Sequence, residues 1–290
     1  MDQGFKTVIH DINILSWLLH ENVDELKGKS IDEIKTCLEI GEDGRTVIGR
    51  ENDYFSMDSG SIIPDSVFDV TIPGTGEAIS VIVNIEGQND PIPDYPLEKR
   101  AEYYLARMVS SQKGRDFSGD DYGKIRKVYS IWLILDPRAR YRNTAVRYRM
   151  RAENLAGDPK RVIPPLETFN LLIINVGRYD SNLPDISAFP AALFSMMTSD
   201  ERRDLMMDRF NIELDDVLNR GVGELASIGQ DTWNKGYREG REESIKGYSE
   251  TAAFLVREKG FTLEEAIQSI QSPPGMKPRI EEETRRILGN

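Results

Sequence analysis

The chain has 290 residues, with 49 Asp+Glu against 37 Lys+Arg, a formal net charge of −12 and 39% hydrophobic residues. That apolar share supports a sizeable core and excludes wholesale disorder, and at ~100–200 residues per domain the length fits one large domain with an appendage. A single cysteine, Cys37, and two histidines, His10 and His20, exclude an internal disulfide and a Cys/His zinc site, and a reducing, cytoplasmic setting fits best.

Residues 5–26 read as a helix with Ile9, Ile12, Leu15, Leu19 and Val23 on one face. Asp11, Asn13 and Ser16 inside it argue against a signal segment, and no run nears ~18 apolar residues, so no membrane partner is expected. His10 and His20 would lie about 15 Å apart along such a helix, too far for a ligand pair. Ser30 with Glu33 forms a capping box that opens a short helix burying Ile31, Ile34 and Leu38. Cys37 on that helix reads as a small core residue. Residues 41–60 are polar and Gly-rich, a loop with one edge strand.

A β-hairpin follows. Phe68, Val70 and Ile72 alternate with Asp69 and Thr71, Pro73-Gly74-Thr75-Gly76 is a turn signal, and Ile79, Val81, Val83 and Ile85 alternate with Ser80, Asn84, Glu86 and Gln88. Pro96 introduces a helix to about Gln112, with Leu97, Ala101, Tyr104 and Met108 on one face and Arg100, Tyr103 and Arg107 beside it. Val128–Leu135 is largely apolar, the pattern of a central strand buried on both faces, with Trp132 in the core. Residues 144–151 and 168–176 supply further strands. From Ser187 onward the pattern is helical; Gly236, Gly240 and Gly247 punctuate a charged stretch, and Thr262 with Glu265 caps a last unit that closes at Pro273-Pro274. The order predicts an α/β fold: residues 1–215 as one domain (1–50 N-terminal helices, 60–180 the core) and 216–290 as a charged helical C-terminal tail.

Asp69, Glu86 and Gln88 form the sharpest constellation. Two carboxylates on adjacent strands can clamp one Mg²⁺ or Mn²⁺, hard cations that take oxygen ligands, and the Gly87 backbone carbonyl can add a donor. Gln88 shares Glu86's face and is placed to touch an attacking water or a scissile phosphate. If the turn centres near Thr75-Gly76, Asp69 stands opposite Ile82 and Glu86 opposite Asp65. Levelling Asp69 with Glu86 takes a turn centred nearer Glu77-Ala78, or a bulge, so Asp65 is held as a reserve ligand. The plainer account of the same spacing is a solvated sheet face. No GxSxG, HExxH or P-loop is present.

Val67-Phe68-Asp69-Val70 and Val83-Asn84-Ile85-Glu86-Gly87-Gln88 resemble the PD-(D/E)XK nuclease family transposases, relatives of the recombination-promoting (Rpn) nucleases. The likeness continues through Tyr95-Pro96-Leu97, Arg100-Ala101, Tyr103-Tyr104-Leu105-Ala106-Arg107-Met108, Ser111-Gln112 and Lys127-Val128-Tyr129-Ser130-Ile131-Trp132. Upstream, Ile14-Leu15-Ser16-Trp17-Leu18-Leu19 and Ser30-Ile31-Asp32-Glu33-Ile34 look like the family's N-terminal helices. The resemblance covers roughly residues 5–215, and the Gly-punctuated tail is also a family habit. It implies a restriction-endonuclease-like core with a four-stranded mixed sheet flanked by helices, Mg²⁺-dependent phosphodiester hydrolysis and a DNA substrate. Asp69 and Glu86 would be metal ligands, and Gln88 would stand where the broader superfamily has Lys. Gln can orient water but supplies no positive charge, so Lys99, Arg100 or Arg107 would have to replace it.

Charge is uneven along the chain. Residues 99–162 hold 16 Lys+Arg and 7 Asp+Glu, a local +9, which leaves −21 for the rest. Arg138, Arg140, Arg142, Arg147, Arg149 and Arg151 are interleaved with Tyr141 and Tyr148, and alternation puts Arg147, Arg149 and Arg151 on one strand face. Such a mixture suits a phosphate backbone, so Arg100, Arg107, Arg147 and Arg149 are the expected DNA contacts. The competing account pairs these arginines with acidic residues of the tail or N-terminal segment. The leading expectation is a metal-dependent DNA endonuclease of low sequence specificity, tied to mobile elements or recombination. The alternative is a catalytically silent nuclease fold serving as a DNA-binding or protein-interaction module. The tail is a candidate for homo-oligomer contacts.

Overall fold

The computed structural model describes residues 2–50, 66–73, 78–86, 95–135, 137–157 and 166–289, with only the backbone described at 2–3, 78, 80–86, 228–239 and 274. The expected N-terminal helix is two helices, α1 (Asp2–Ile9) and α2 (Ile12–Asn22). Asp11 makes the break: its backbone is extended and its carboxylate accepts from the amides of Asn13 and Ile14, a side-chain N-cap. The apolar period survives the break because Ile9, Ile12, Leu15, Leu19 and Val23 all enter the same core. Ser30 and Glu33 cap α3 (Ile31–Lys35) reciprocally, as the sequence signature requires.

The sheet is mixed and has five strands in the order β1-β2-β3-β5-β4. β1 (Ser66–Thr71) and β2 (Ala78–Glu86) are antiparallel; β3 (Val128–Ile134) runs parallel to both β2 and β5 (Phe169–Asn175). β4 (Thr144–Arg149), antiparallel to β5, is the strand beyond the four implied by the resemblance, and it comes from the basic segment. α4 (Leu97–Ser110) connects β2 to β3, with Pro96 as its N-cap residue. β3 is buried along its whole length, as its largely apolar sequence predicts.

The pleat sorts the sheet into two faces. Phe68, Val70, Tyr129, Ile131, Leu133, Leu172 and Ile174 join the main core with α1, α2, α5 (Asp185–Phe194) and α6 (Ser199–Phe210). Val67, Val128, Trp132, Ile134, Leu171 and Ile173 form a second core under Ala101, Leu105 and Met108 of α4. Among the described residues no helix is long and apolar enough to cross a membrane.

The chain divides into two compact units, Met1–Gln230 and Asp231–Asn290, so the boundary falls later than the expected 215/216. The start of α7 (Asp216–Lys259) belongs to the first unit because Leu218, Val222 and Leu225 are buried in its main core. Gly221 permits that approach: a Cβ there would come within 3.1 Å of the Val8 side chain and 3.3 Å of the Gly4 carbonyl. In the second unit, Ile245 and Ala252 of α7 pack with Ala266 and Ile267 of α8 (Leu263–Ser269) and Ile280 of α9 (Lys277–Leu288). α9 extends the tail beyond Pro273-Pro274, where the sequence pattern closed it. Gly240 and Gly247 serve no close contact within this unit, since a Cβ on either would meet nothing within 4 Å.

Candidate metal and nucleic-acid site

The β1–β2 register decides which carboxylates can meet. Asp69 stands opposite Ser80, and β1 begins with Ser66 opposite Val83. The expected pairing of Asp69 with Ile82 therefore does not hold, and that of Glu86 with Asp65 falls outside the described residues. Glu86 lies six positions beyond Ser80, about 20 Å along the strand at ~3.3 Å per residue. One ion reaches carboxylates only ~2.1 Å away, so Asp69 and Glu86 cannot share it in this register. The separation is even, which keeps both positions on the same sheet face. Glu86 ends β2, level with Ile134, which is level with Asn175. It is thus at the carboxyl end of three parallel strands, the edge where open α/β sheets place ligands. Asp65, Gly87 and Gln88 lie outside the described residues, as does the side chain of Glu86. Among the described residues no group of three or more His, Cys, Asp or Glu side chains could hold a metal ion.

Asp69 instead belongs to an ion-pair cluster at the other end of the face. Arg50 Nε donates to its Oδ2, and Arg126 Nη1 lies 3.5 Å from its Oδ1. Asp116, whose side chain is 7% exposed, faces Arg115 at 2.9 Å, Arg126 at 3.5 Å and Arg50 at 3.7 Å. Three guanidinium groups surround these two carboxylates.

Arg100 of α4 lies near the Glu86 end. The Arg100 guanidinium sits 5.3 Å from the centre of the Trp132 ring. Trp132 is the strand partner of Asn84, two positions from Glu86, so Arg100 is level with the Glu86 end of the sheet. Arg107 follows two turns later and is half-buried.

Arg147 and Arg149 are held by the N-terminal segment. Arg147 donates to the Asp24 carboxylate at 2.6 Å and to the Asn22 carbonyl at 2.8 Å, and Arg149 donates to the other Asp24 oxygen. The competing account of the basic strand therefore describes these two residues, with the partner in the N-terminal segment rather than the tail. Arg149 and Arg151 line a cavity of about 470 Å³ with Asp24, Glu25, Tyr129 and Glu167, at the amino ends of β3 and β5. Beside it, Lys127 bridges Glu25 at 2.7 Å and Glu167 at 2.9 Å, and the buried Tyr129 hydroxyl donates to Glu25 at 2.7 Å. Burial and Glu25 push the Tyr129 hydroxyl up, so it stays a donor.

Burial opposes ionisation of Glu25, but Lys127 and Tyr129 outweigh it and hold its carboxyl below the usual glutamate value. A depressed folded-state pKa contributes stability above the unfolded value of ~4.3, and the contribution is lost as pH falls through the folded value. Glu25→Gln is expected to cost about 1–3 kcal/mol at pH 7 and less at pH 3. Urea unfolding at both pH values checks this, and an equal loss at both would refute the linkage.

His10 is a strut. With Nδ1 2.9 Å from the Val47 carbonyl, the ring carries its proton there and Nε2 accepts from Ser66 Oγ at 2.8 Å. Burial lowers its pKa, with the charge of Lys6 acting in the same direction and the Val47 hydrogen bond against it. A Cβ on Gly49 would lie 2.9 Å from His10 Cε1, so glycine there lets the ring reach β1. His20 pairs locally with Glu21 at 2.6 Å. Cys37 is a buried free thiol and Trp132 a core residue.

Comparisons with protein-family models, curated proteins and solved structures found no match.

Proposed function

We propose that the mixed sheet is a restriction-endonuclease-like core and that the chain is a divalent-metal-dependent DNA endonuclease whose ligands are Asp65 and Glu86. The observation that carries this reading is the hairpin register, Ser66 opposite Val83. Asp65 directly precedes Ser66, the partner of Val83, whereas Asp69 is held about 20 Å from Glu86. Asp65 thus takes the place that the resemblance gave to Asp69.

The donor set suits Mg²⁺ or Mn²⁺: two carboxylates and the Gly87 carbonyl are all hard oxygens, and such ions keep several waters. When bound, the ion supplies Lewis acidity toward a phosphodiester. Glu86 is placed at the carboxyl edge by β2, and His10 anchors Ser66 next to Asp65. Gln88 orients water by hydrogen bonds. Arg100, level with Asn84 on the same sheet face, supplies the positive charge that Gln88 lacks.

The test is nicking of supercoiled plasmid in Mg²⁺ and Mn²⁺. Asp65→Asn and Glu86→Gln are each expected to lower the rate by about 10²–10³-fold, and Arg100→Ala by about 10-fold. Metal-dependent cleavage that survives both carboxylate substitutions would overturn the site.

One observation favours the silent-fold alternative. Asp24 already pairs with Arg147 and Arg149, so part of the basic segment is neutralised within the fold. That reading predicts salt-sensitive DNA binding without cleavage in either metal.

A further inference from the structure

The cavity at the amino ends of β3 and β5 has a floor set by strand pairing. Tyr129 is the partner of Asn170 and Asn170 is the partner of Arg149, so the three form a row across β3, β5 and β4 on one face of the sheet. All three line the cavity of about 470 Å³, a volume within the ~300–1,000 Å³ of small-molecule sites. The row is level with Val81, five strand positions from Glu86, about 16 Å along the sheet at ~3.3 Å per residue. A ligand there is independent of any chemistry at Glu86.

Asn170 is 4% exposed. Its Nδ2 donates to the Glu167 carbonyl at 2.9 Å, which fixes the carboxamide, because turning it over would set two oxygens together. Its Oδ1 has no hydrogen-bond partner among the described residues, so an acceptor is left over in a residue that lines the cavity. The carboxylates around it are already engaged: Asp24 with Arg147 and Arg149, and Glu25 and Glu167 with Lys127. Arg151, exposed at the rim, has no hydrogen bond or ion pair among the described residues. Met150 and Leu166, 51% and 64% exposed, add apolar surface to the same rim.

These groups order a ligand from floor to rim: a hydrogen-bond donor at Asn170, an apolar or planar body against Met150 and Leu166, and an oxyanion at Arg151 and Arg149. Arginine binds phosphate through two parallel N–H bonds, and Arg149 spends only Nη2 on Asp24. An α-amino acid fails this pattern, because its amine and carboxylate share one carbon and cannot be divided between floor and rim. A nucleotide meets it: adenine and cytosine each present an exocyclic amino donor, and the phosphate lies at the far end of the base and sugar. We propose that this cavity binds a nucleoside monophosphate, base inward and phosphate at Arg151.

The test titrates the full chain with AMP and with CMP by isothermal calorimetry, in EDTA so that metal plays no part. At least one is expected to bind with a Kd of about 10–100 µM, ordinary for a ligand of that size. Inorganic phosphate and ribose 5-phosphate, which lack the base, should bind at least about 10-fold more weakly. Dimethylating the amino group of the nucleotide that binds removes the donor for Asn170 and should weaken it about 10-fold, with no change to the protein. Arg151→Gln should also weaken it about 10-fold with an unchanged melting midpoint, and Arg151→Lys should fall between. A Kd weaker than about 1 mM for both nucleotides, or equal affinity for inorganic phosphate, would overturn the proposal. So would an unchanged affinity in Arg151→Gln or for the dimethylated nucleotide.

Discussion

Trp132→Ala is expected to lower the unfolding free energy of the first unit by about 3–5 kcal/mol. Trp132 is 1% exposed at the middle of the central strand, with Val67, Leu171 and Ile173 as neighbours in the core under α4. Its indole N–H donates to Ser130 Oγ at 2.9 Å, so the buried polar group is satisfied. The Tyr104 ring lies 5.5 Å from it and the Arg100 guanidinium 5.3 Å, so the side chain joins sheet to helix and also carries a charge of the proposed site. Alanine leaves a cavity between two elements that cannot both collapse into it, and it strands the Ser130 hydroxyl. Urea unfolding followed by circular dichroism checks this; for a unit of this size the loss corresponds to a fall in Tm of roughly 10 °C. Trp132→Phe keeps most of the volume and should cost about 1–2 kcal/mol. A loss below about 1 kcal/mol for the alanine variant would mean that α4 does not pack on the sheet as described.

Trp132 was legible in the sequence because burial on both faces writes itself as a largely apolar run. Local capping was legible for a similar reason: Ser30 with Glu33 and Thr262 with Glu265 are decided within four residues, and both boxes form. Thr198 with Glu201 carries the same signature and also forms, although the sequence pattern there was read only as helix. Asp11 was missed because an N-cap inside an unbroken apolar period leaves that period unchanged.

The hairpin register was not legible, and the reason is general. Strand alternation has period two, so the pattern that puts Asp69 and Glu86 on one face is identical for every even shift of one strand against the other. The turn sequence was the only local guide to the offset, and it placed the centre about one residue too far along. One residue in the centre moves every pairing by two. The arginine partners were hidden by distance along the chain: Arg147 and Arg149 meet Asp24 across separations of 123 and 125 residues. Composition gave the excess of positive charge but not which cations are already engaged.

Asp69→Asn should therefore separate stability from activity. Removing this carboxylate takes an ion-pair partner from Arg50, only 14% exposed, and from Arg126. Breaking a buried pair from one side costs ~3–5 kcal/mol, and the 36% exposure of Asp69 reduces that to about 1–3 kcal/mol here. The asparagine amide can accept one hydrogen bond from Arg50 but cannot neutralise it. If Asp65 and Glu86 are the metal ligands, the same substitution leaves single-turnover nicking within about 3-fold of wild type, set against the 10²–10³-fold loss expected for Asp65→Asn. Urea unfolding and single-turnover nicking on one preparation read both. The reverse pattern, unchanged stability with nicking abolished, would make Asp69 the ligand. The strands would then have to pair at least four residues out of the described register, and a disulfide between Thr71→Cys and Ala78→Cys, partners in the described register, should fail to form.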